Sequence, residues 1–291
     1  MRNILLLLLS FCCVTIALAQ DKPILVDAPW LKQHLNDPGV VVLQVSFLRI
    51  DYTKEHIEGA RFLWPGWLAP DSPDGSFNAP DPEKASEWLR TLGVSNDSHV
   101  IICYLRNEVA PSARMFLELE ELGMKGKVSV LNGGLDAWKK EGYPVTKAEP
   151  TVKKGNFKPK PSAGLLVDRN YVMNSIGSND RTIIDARAKR FYDGEPAGLP
   201  RDGHIKGASN IFFQDLVDQS NFFKPADQLK GYFEPVVPPG KEIVTYCFIG
   251  QTASVVYLAG RVLGYNMKLY DGSMQEWTRI DELPMESTPK Q

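Results

Sequence analysis

Short apolar runs alternate along this chain with stretches in which apolar residues recur every three to four positions. Glu242-Ile-Val-Thr-Tyr246 reads as a strand. Val255, Leu258, Ala259 and Val262 then fall on one helical face. Gly264 is a helix stop, and Met267-Lys-Leu-Tyr270 is the next strand. The first half has the same rhythm. Val100-Ile-Ile-Cys-Tyr104 reads as a strand, and a helix follows from about residue 110 to 122. Gly123 ends that helix, and Val128-Ser-Val-Leu131 is the next strand. Strand, helix, strand, repeated, predicts an α/β fold in which parallel sheets carry helices on both faces.

The two halves echo each other. His56-Ile-Glu-Gly-Ala60 returns as His204-Ile-Lys-Gly-Ala208. Val40-Val-Val-Leu-Gln-Val45 returns as Thr182-Ile-Ile-Asp-Ala186, and Asn132-Gly-Gly-Leu-Asp-Ala-Trp138 as Asp271-Gly-Ser-Met-Gln-Glu-Trp277. Three matches in one order predict a tandem duplication. Residues 147–164 are rich in Lys, Pro and Gly, and read as a linker between domains at 24–146 and 165–286.

The N-terminus has a different pattern. Arg2 precedes an apolar stretch to Leu18, and Ala17-Leu-Ala19 has small residues where a signal peptidase reads. Residues 1–19 are therefore expected to be a secretory signal peptide, cut before Gln20, with a periplasmic or extracellular destination. A membrane anchor is the alternative, but the run is short for a span. Cleavage removes Cys12 and Cys13 and leaves Cys103 and Cys247. Two cysteines make no disulfide framework; one bridge or two separate thiols stay open. The 291 residues are 43% hydrophobic and 23% charged, a globular composition. A net charge of -2 argues against nucleic-acid binding through a broad basic surface.

Cys247 follows a predicted strand, and a helix starts a few residues later. That edge of an α/β sheet is where ligands bind. Phe248, Ile249, Gly250, Gln251 and Thr252 must curl tightly, with Gly250 free to adopt a positive φ and Thr252 or Ser254 able to cap the helix. Main-chain N–H groups and a helix N-terminus would then surround the sulfur and favour its anion. The alternative is a buried structural cysteine.

In these features the chain resembles the two-domain rhodaneses, the thiosulfate and 3-mercaptopyruvate sulfurtransferases. The resemblance runs from about Ile24 to Trp277. It rests on the paired motifs above, on Asp185-Ala-Arg187, on Gly203-His-Ile-Lys-Gly-Ala208 and on Cys247-x-x-Gly250-x-Thr252. It implies two tandem rhodanese-like domains and ping-pong transfer of sulfane sulfur. Cys247 is the implied carrier, cradled by residues 248–252, between a small donor, thiosulfate foremost, and a thiophilic acceptor: cyanide, a thiol or a protein cysteine. It implies no metal or organic cofactor. Arg187 matches a position that contacts the donor's anionic end, and Arg201 is a second candidate. Asp185 is expected to order the loop, and His56 and His204 to be structural. Leu105 stands in the first half where Cys247 stands in the second, so only the second domain is expected to be catalytic, with Cys103 in the core.

The chain departs from both branches of the family. Phe248 and Ile249 replace the basic residues of thiosulfate enzymes and the small residues of mercaptopyruvate enzymes, and Gln44 stands where the latter tend to have aspartate. A mercaptopyruvate or protein-persulfide donor is the alternative within the family. A related phosphatase loop would end in arginine, but Ala253 is there instead, and the next arginine is Arg261. The remaining alternative is a non-catalytic binding module.

Overall fold

The structure, a computed structural model, describes residues 22–288 apart from 74, 107, 162 and 163. The expected signal peptide lies outside the described residues. The first half runs β1 (Leu25–Val26), α1 (Ala28–His34), β2 (Val40–Val45), α2 (Arg49–Lys54), β3 (Arg61–Leu63), α3 (Pro82–Thr91), β4 (His99–Tyr104), α4 (Val109–Leu119), β5 (Val128–Leu131) and α5 (Gly134–Lys140). The second runs β6 (Leu166–Val167), α6 (Arg169–Met173), β7 (Arg181–Asp185), α7 (Lys189–Tyr192), β8 (His204–Ile205), β9 (Ser209–Asn210), α8 (Ala226–Phe233), β10 (Glu242–Tyr246), α9 (Ala253–Val262), β11 (Met267–Tyr270), α10 (Ser273–Trp277) and β12 (Met285–Glu286).

Strand order is β1-β5-β4-β2-β3 in one sheet and β6-β11-β10-β7-β9 in the other, with every neighbour parallel. The duplication extends to side chains. Tyr52 stacks on His56 at 4.0 Å between ring centroids and donates its hydroxyl to the Ala60 carbonyl at 2.9 Å. Tyr192 stacks on His204 at 3.7 Å and donates to the Ala208 carbonyl at 2.7 Å. Each histidine bonds through Nδ1 to the carbonyl of its stacking tyrosine, at 2.8 and 2.7 Å. Both are fastened parts of a turn, as expected of structural residues.

The equivalent helices α4 and α9 pack against each other, so the domains meet through the same element. Every side chain of α4 is buried, and those of α9 are buried from Ala253 to Gly260. Helices apolar nearly all round belong in a core, and here a single apolar cluster spans both domains.

Residues 147–161 form no helix or strand, yet they are not a loose tether. Gly155 and Phe157 donate their N–H groups to the carbonyls of Arg90 and Val94 at 2.8 and 3.2 Å, and Phe157 is fully buried. A Cβ at Gly155 would lie 2.0 Å from the Val94 carbonyl oxygen, so only glycine allows that approach.

At the amino edge of the first sheet, buried His99 holds Ser129 Oγ at 2.7 Å, and Ser129 in turn donates to the Pro23 carbonyl. Burial, with the charges of Lys22 and His34, pushes the imidazole down to about 4. The unfolded chain protonates this residue near its ordinary value of 6.5, before the folded protein does. The resulting stability is therefore complete above 6.5 and is lost as pH falls towards 4. Between pH 7.5 and pH 5 the loss is expected to be roughly 2 kcal/mol. Urea melts of wild type and His99→Gln at both pH values check this: the variant should lose less on acidification. Equal losses would show that another group carries the acid sensitivity.

Candidate active site

Cys247 is the first residue after β10, at the carboxyl edge of the second sheet, and has no exposed surface. It is clamped from the start of α10. Its N–H donates to Ser273 Oγ at 3.3 Å, and Ser273 donates to the Tyr270 carbonyl at 3.0 Å. The N–H groups of Met274 and Gln275 hold the carbonyls of Cys247 and Phe248 at 3.1 and 2.9 Å. Ser273 has φ +49°, a left-handed conformation seldom adopted by a residue with a side chain. The sequence reading missed Ser273, although its motif was one of the duplicated ones.

The loop after Cys247 then turns through Gly250 at φ +79°. Among the described residues, no protein acceptor takes the main-chain N–H of any residue from Phe248 to Ala253. The first helical bonds begin beyond them, from Ser254 N–H to the Gln251 carbonyl at 3.2 Å and from Val255 N–H to Thr252 at 3.1 Å. Six consecutive donors are thus left open at the start of α9, an arrangement suited to an anion. The expected hydroxyl cap is absent: Thr252 stands at the cap position without a side-chain cap bond, and Ser254 donates back to the Gly250 carbonyl at 2.9 Å. Neither hydroxyl therefore fills the donor run.

Asp185 and Arg187 flank this loop from β7. Asp185 is fully buried and accepts from the Arg187 main-chain N–H at 2.9 Å, from its guanidinium at 2.6 Å and from the Tyr246 hydroxyl at 2.9 Å. It orders the turn. The Arg187 guanidinium also holds the Gly203 carbonyl at 2.7 Å and lies 5.1 Å from the centre of the Phe248 ring. Burial pulls its pKa down, but Asp185, Tyr246 and Cys247 outweigh burial and raise it. Nε and Nη2 are occupied, whereas Nη1 has no hydrogen-bond partner among the described residues.

Arg201 does not join this group. Its five N–H bonds go to the carbonyls of Trp277, Thr278, Ile280, Asp281 and Leu283, at 2.5 to 3.2 Å. A guanidinium has five donors, and all are used on main chain. The expectation of a donor-binding Arg201 is corrected to a clasp on the carboxyl-terminal segment.

The first domain has Leu105 at the place of Cys247, directly after β4, and Leu105 is buried. Cys103 lies inside β4, and burial, assisted by Asp136, pushes its thiol far above the ordinary range. Both cysteines are free. Gln44 is buried in β2, with its amide nitrogen on the Glu55 carbonyl at 3.3 Å. The first domain nevertheless reaches across. Gln275 bonds both ways with the main chain of Ser76, at 2.9 and 3.0 Å, and Asp271 accepts from the Ala79 N–H at 2.9 Å.

A family model of the rhodanese-like domain matches residues 27–141 and again 168–280. The chain is 30% identical over 275 residues to a 3-mercaptopyruvate sulfurtransferase of Escherichia coli, spanning 90% of this chain and 97% of the relative. It is 31% identical over 269 residues to a thiosulfate sulfurtransferase of Gallus gallus, spanning 87% and 92%. The crystal structure of the 3-mercaptopyruvate sulfotransferase SseA from Escherichia coli matches with a TM-score of 0.77 at 30% identity, over 87% of this chain and 99% of that one. Cys247 and Leu105 thus occupy one corner of two copies of the same fold, and the chain belongs to the rhodanese family, as a sulfurtransferase built from two rhodanese-like domains.

Proposed function

We propose that Cys247 carries the transferred sulfur as a persulfide, in a ping-pong cycle between a small donor and a thiophilic acceptor. The observation that carries this reading is the run of six open N–H groups directly after the cysteine. A terminal persulfide sulfur is an anion, and fixed donors need no reorganisation to hold it. In the first step the deprotonated Cys247 sulfur attacks the donor sulfur. An S–S bond forms, and the donor's bond to that sulfur breaks with its electron pair. In the second, an acceptor such as cyanide takes the outer sulfur and returns the Cys247 thiolate. Cys247 has no exposed surface, so donor entry requires the surrounding side chains to part.

The donor that fits best is a singly charged thiol acid of the 3-mercaptopyruvate type. Phe248 and Ile249 bring no charge to the loop, and Arg187 is already paired with the buried Asp185 carboxylate. One free Nη1 suits one carboxylate; the thiosulfate dianion would need more compensation. Relatives named 3-mercaptopyruvate sulfurtransferase favour the same donor, although others are named thiosulfate sulfurtransferase. With this donor the C–S bond breaks, and the electron pair leaves as the pyruvate enolate, which takes a proton.

Intact mass after incubation with 3-mercaptopyruvate, and separately with thiosulfate, tests the reading. The mature protein should gain one sulfur atom, faster from 3-mercaptopyruvate, and lose it on adding cyanide. Faster loading by thiosulfate would reverse the donor assignment. A sulfur retained after Cys247→Ser would remove Cys247 as carrier. We also propose export, on the sequence of residues 1–19; a mature amino terminus at Gln20 supports it, and an uncut chain in the cytosolic fraction counts against it.

A further inference from the structure

Arg114 lies in the middle of α4, on the domain that lacks a nucleophile, and is fully buried. Its guanidinium has three partners. Nε pairs with Glu118 one turn along α4 at 2.6 Å, Nη2 with Asp271 after β11 at 2.5 Å, and Nη1 donates to the Gly250 carbonyl at 3.3 Å. Asp271 is itself held by the Ala79 N–H of the first domain. Ser112 and Glu118 apart, the helix positions around it, Ala110, Ala113, Met115, Phe116 and Leu117 among them, are apolar and buried.

A buried guanidinium in such surroundings is a poor way to gain stability. Apolar residues of similar volume commonly serve a packed interface equally well. What a guanidinium fork adds is direction. The direction matters here because the Gly250–Gln251 peptide is planar and trans, so its C=O and N–H point opposite ways. Arg114 shares the Gly250 carbonyl with the Ser254 hydroxyl, which donates to it at 2.9 Å; with the carbonyl fixed towards the first domain, the Gln251 N–H points away from it. Gln251 is one of the six open donors after Cys247. The fit is close: a Cβ at Gly250 would lie 2.7 Å from Arg114 Nη1 and 3.3 Å from the Asp271 carbonyl oxygen.

We infer that Arg114 is a positioning residue for the Cys247 loop, through which the leucine-bearing domain sets the orientation of the persulfide cradle. The inference rests on Cys247 as the carrier. Glu118, behind Arg114, shows how tightly the fork is enclosed. Burial drives its carboxyl up to about 8 against the pull of Arg114, with Asp271 and Glu121 adding to the rise.

The interface supplies its own control. Arg261 of α9 pairs with Glu120 at 2.6 Å across the same contact and otherwise lies against Tyr257 of its own helix, away from the Cys247 loop. Sulfur loading of Cys247 would be timed by quench and intact mass in wild type, Arg114→Met, Arg114→Lys and Arg261→Met, below every melting temperature. Arg114→Met should load about 10- to 100-fold more slowly, mainly in the saturating rate and not in KM, as expected of a loop displaced by under an ångström. Arg114→Lys keeps the charge without the fork and should recover part of the rate. Arg261→Met should load at the wild-type rate.

Amide hydrogen exchange of Ser254, Val255, Met274 and Gln275, whose N–H groups bond to carbonyls of the Cys247 loop, provides a readout independent of the chemistry. It should quicken in Arg114→Met and stay unchanged in Arg261→Met. If wild type takes up no sulfur, the Cys247 reading fails, and the exchange comparison alone decides the positioning role. Wild-type loading by Arg114→Met, equal losses in Arg114→Met and Arg261→Met, or unchanged exchange would each overturn the inference.

Discussion

Cys247→Ser is expected to lower kcat/KM for sulfur transfer by at least about four orders of magnitude while the protein remains folded. Serine can keep the main-chain clamp, since the contacts to Ser273 and Met274 use the N–H and C=O of residue 247 and not its side chain. It cannot form a persulfide, because oxygen does not replace sulfur in the S–S bond that the cycle requires. The hydroxyl enters a site with no exposed surface, so a destabilisation of about 1–3 kcal/mol is expected. Steady-state assays and thermal melts separate the two effects. Cys103→Ser is the matched comparison: a polar group placed in an equally buried strand position should cost similar stability and leave transfer intact. Transfer above about one per cent of wild type in Cys247→Ser would mean that another group carries the sulfur.

The architecture was legible because its signals are local and occur twice. The periodic runs of β4, α4, β10 and α9 lie in the same order in both halves, and each half has its His-Ile-x-Gly-Ala turn. The place of Cys247 at the sheet edge was legible for the same reason, since strand end, glycine and helix start fall within a few residues. What was not legible depends on partners far apart in the chain. Arg114 lies 136 residues from Gly250 and 157 from Asp271, and its i,i+4 partner Glu118 reads as an ordinary helix ion pair that gives no sign of either distant contact. The contribution of residues 147–161 was underestimated for a related reason: Phe157 anchors a stretch whose composition otherwise reads as tether. Ser273 stands in a duplicated motif, but its positive φ accompanies the closing of α10 over Cys247, which only the fold shows.

Arg201 is the opposite case, a residue whose family-like setting pointed to chemistry and whose contacts point to stability. Arg201→Leu is expected to destabilise the protein by about 3 kcal/mol, or roughly 6–12 °C in Tm. The side chain ties together five carbonyls between Trp277 and Leu283, where α10 ends and the chain turns back towards β12. These carbonyls include ones beyond the helix end that lack an N–H donor within it. Leucine fills part of the volume and satisfies none of them. Arg201→Lys should recover only a small part, because one ammonium with three donors cannot span the same arc. KM for the sulfur donor should stay at the wild-type value in both variants at 20 °C below the lower Tm. Arg187→Lys, by contrast, should raise KM, since it removes the one guanidinium nitrogen left open beside the Cys247 loop. Donor titrations on the three variants distinguish the roles. A raised KM in Arg201→Leu with an unchanged Tm would return Arg201 to the binding site and make the carbonyl clasp incidental.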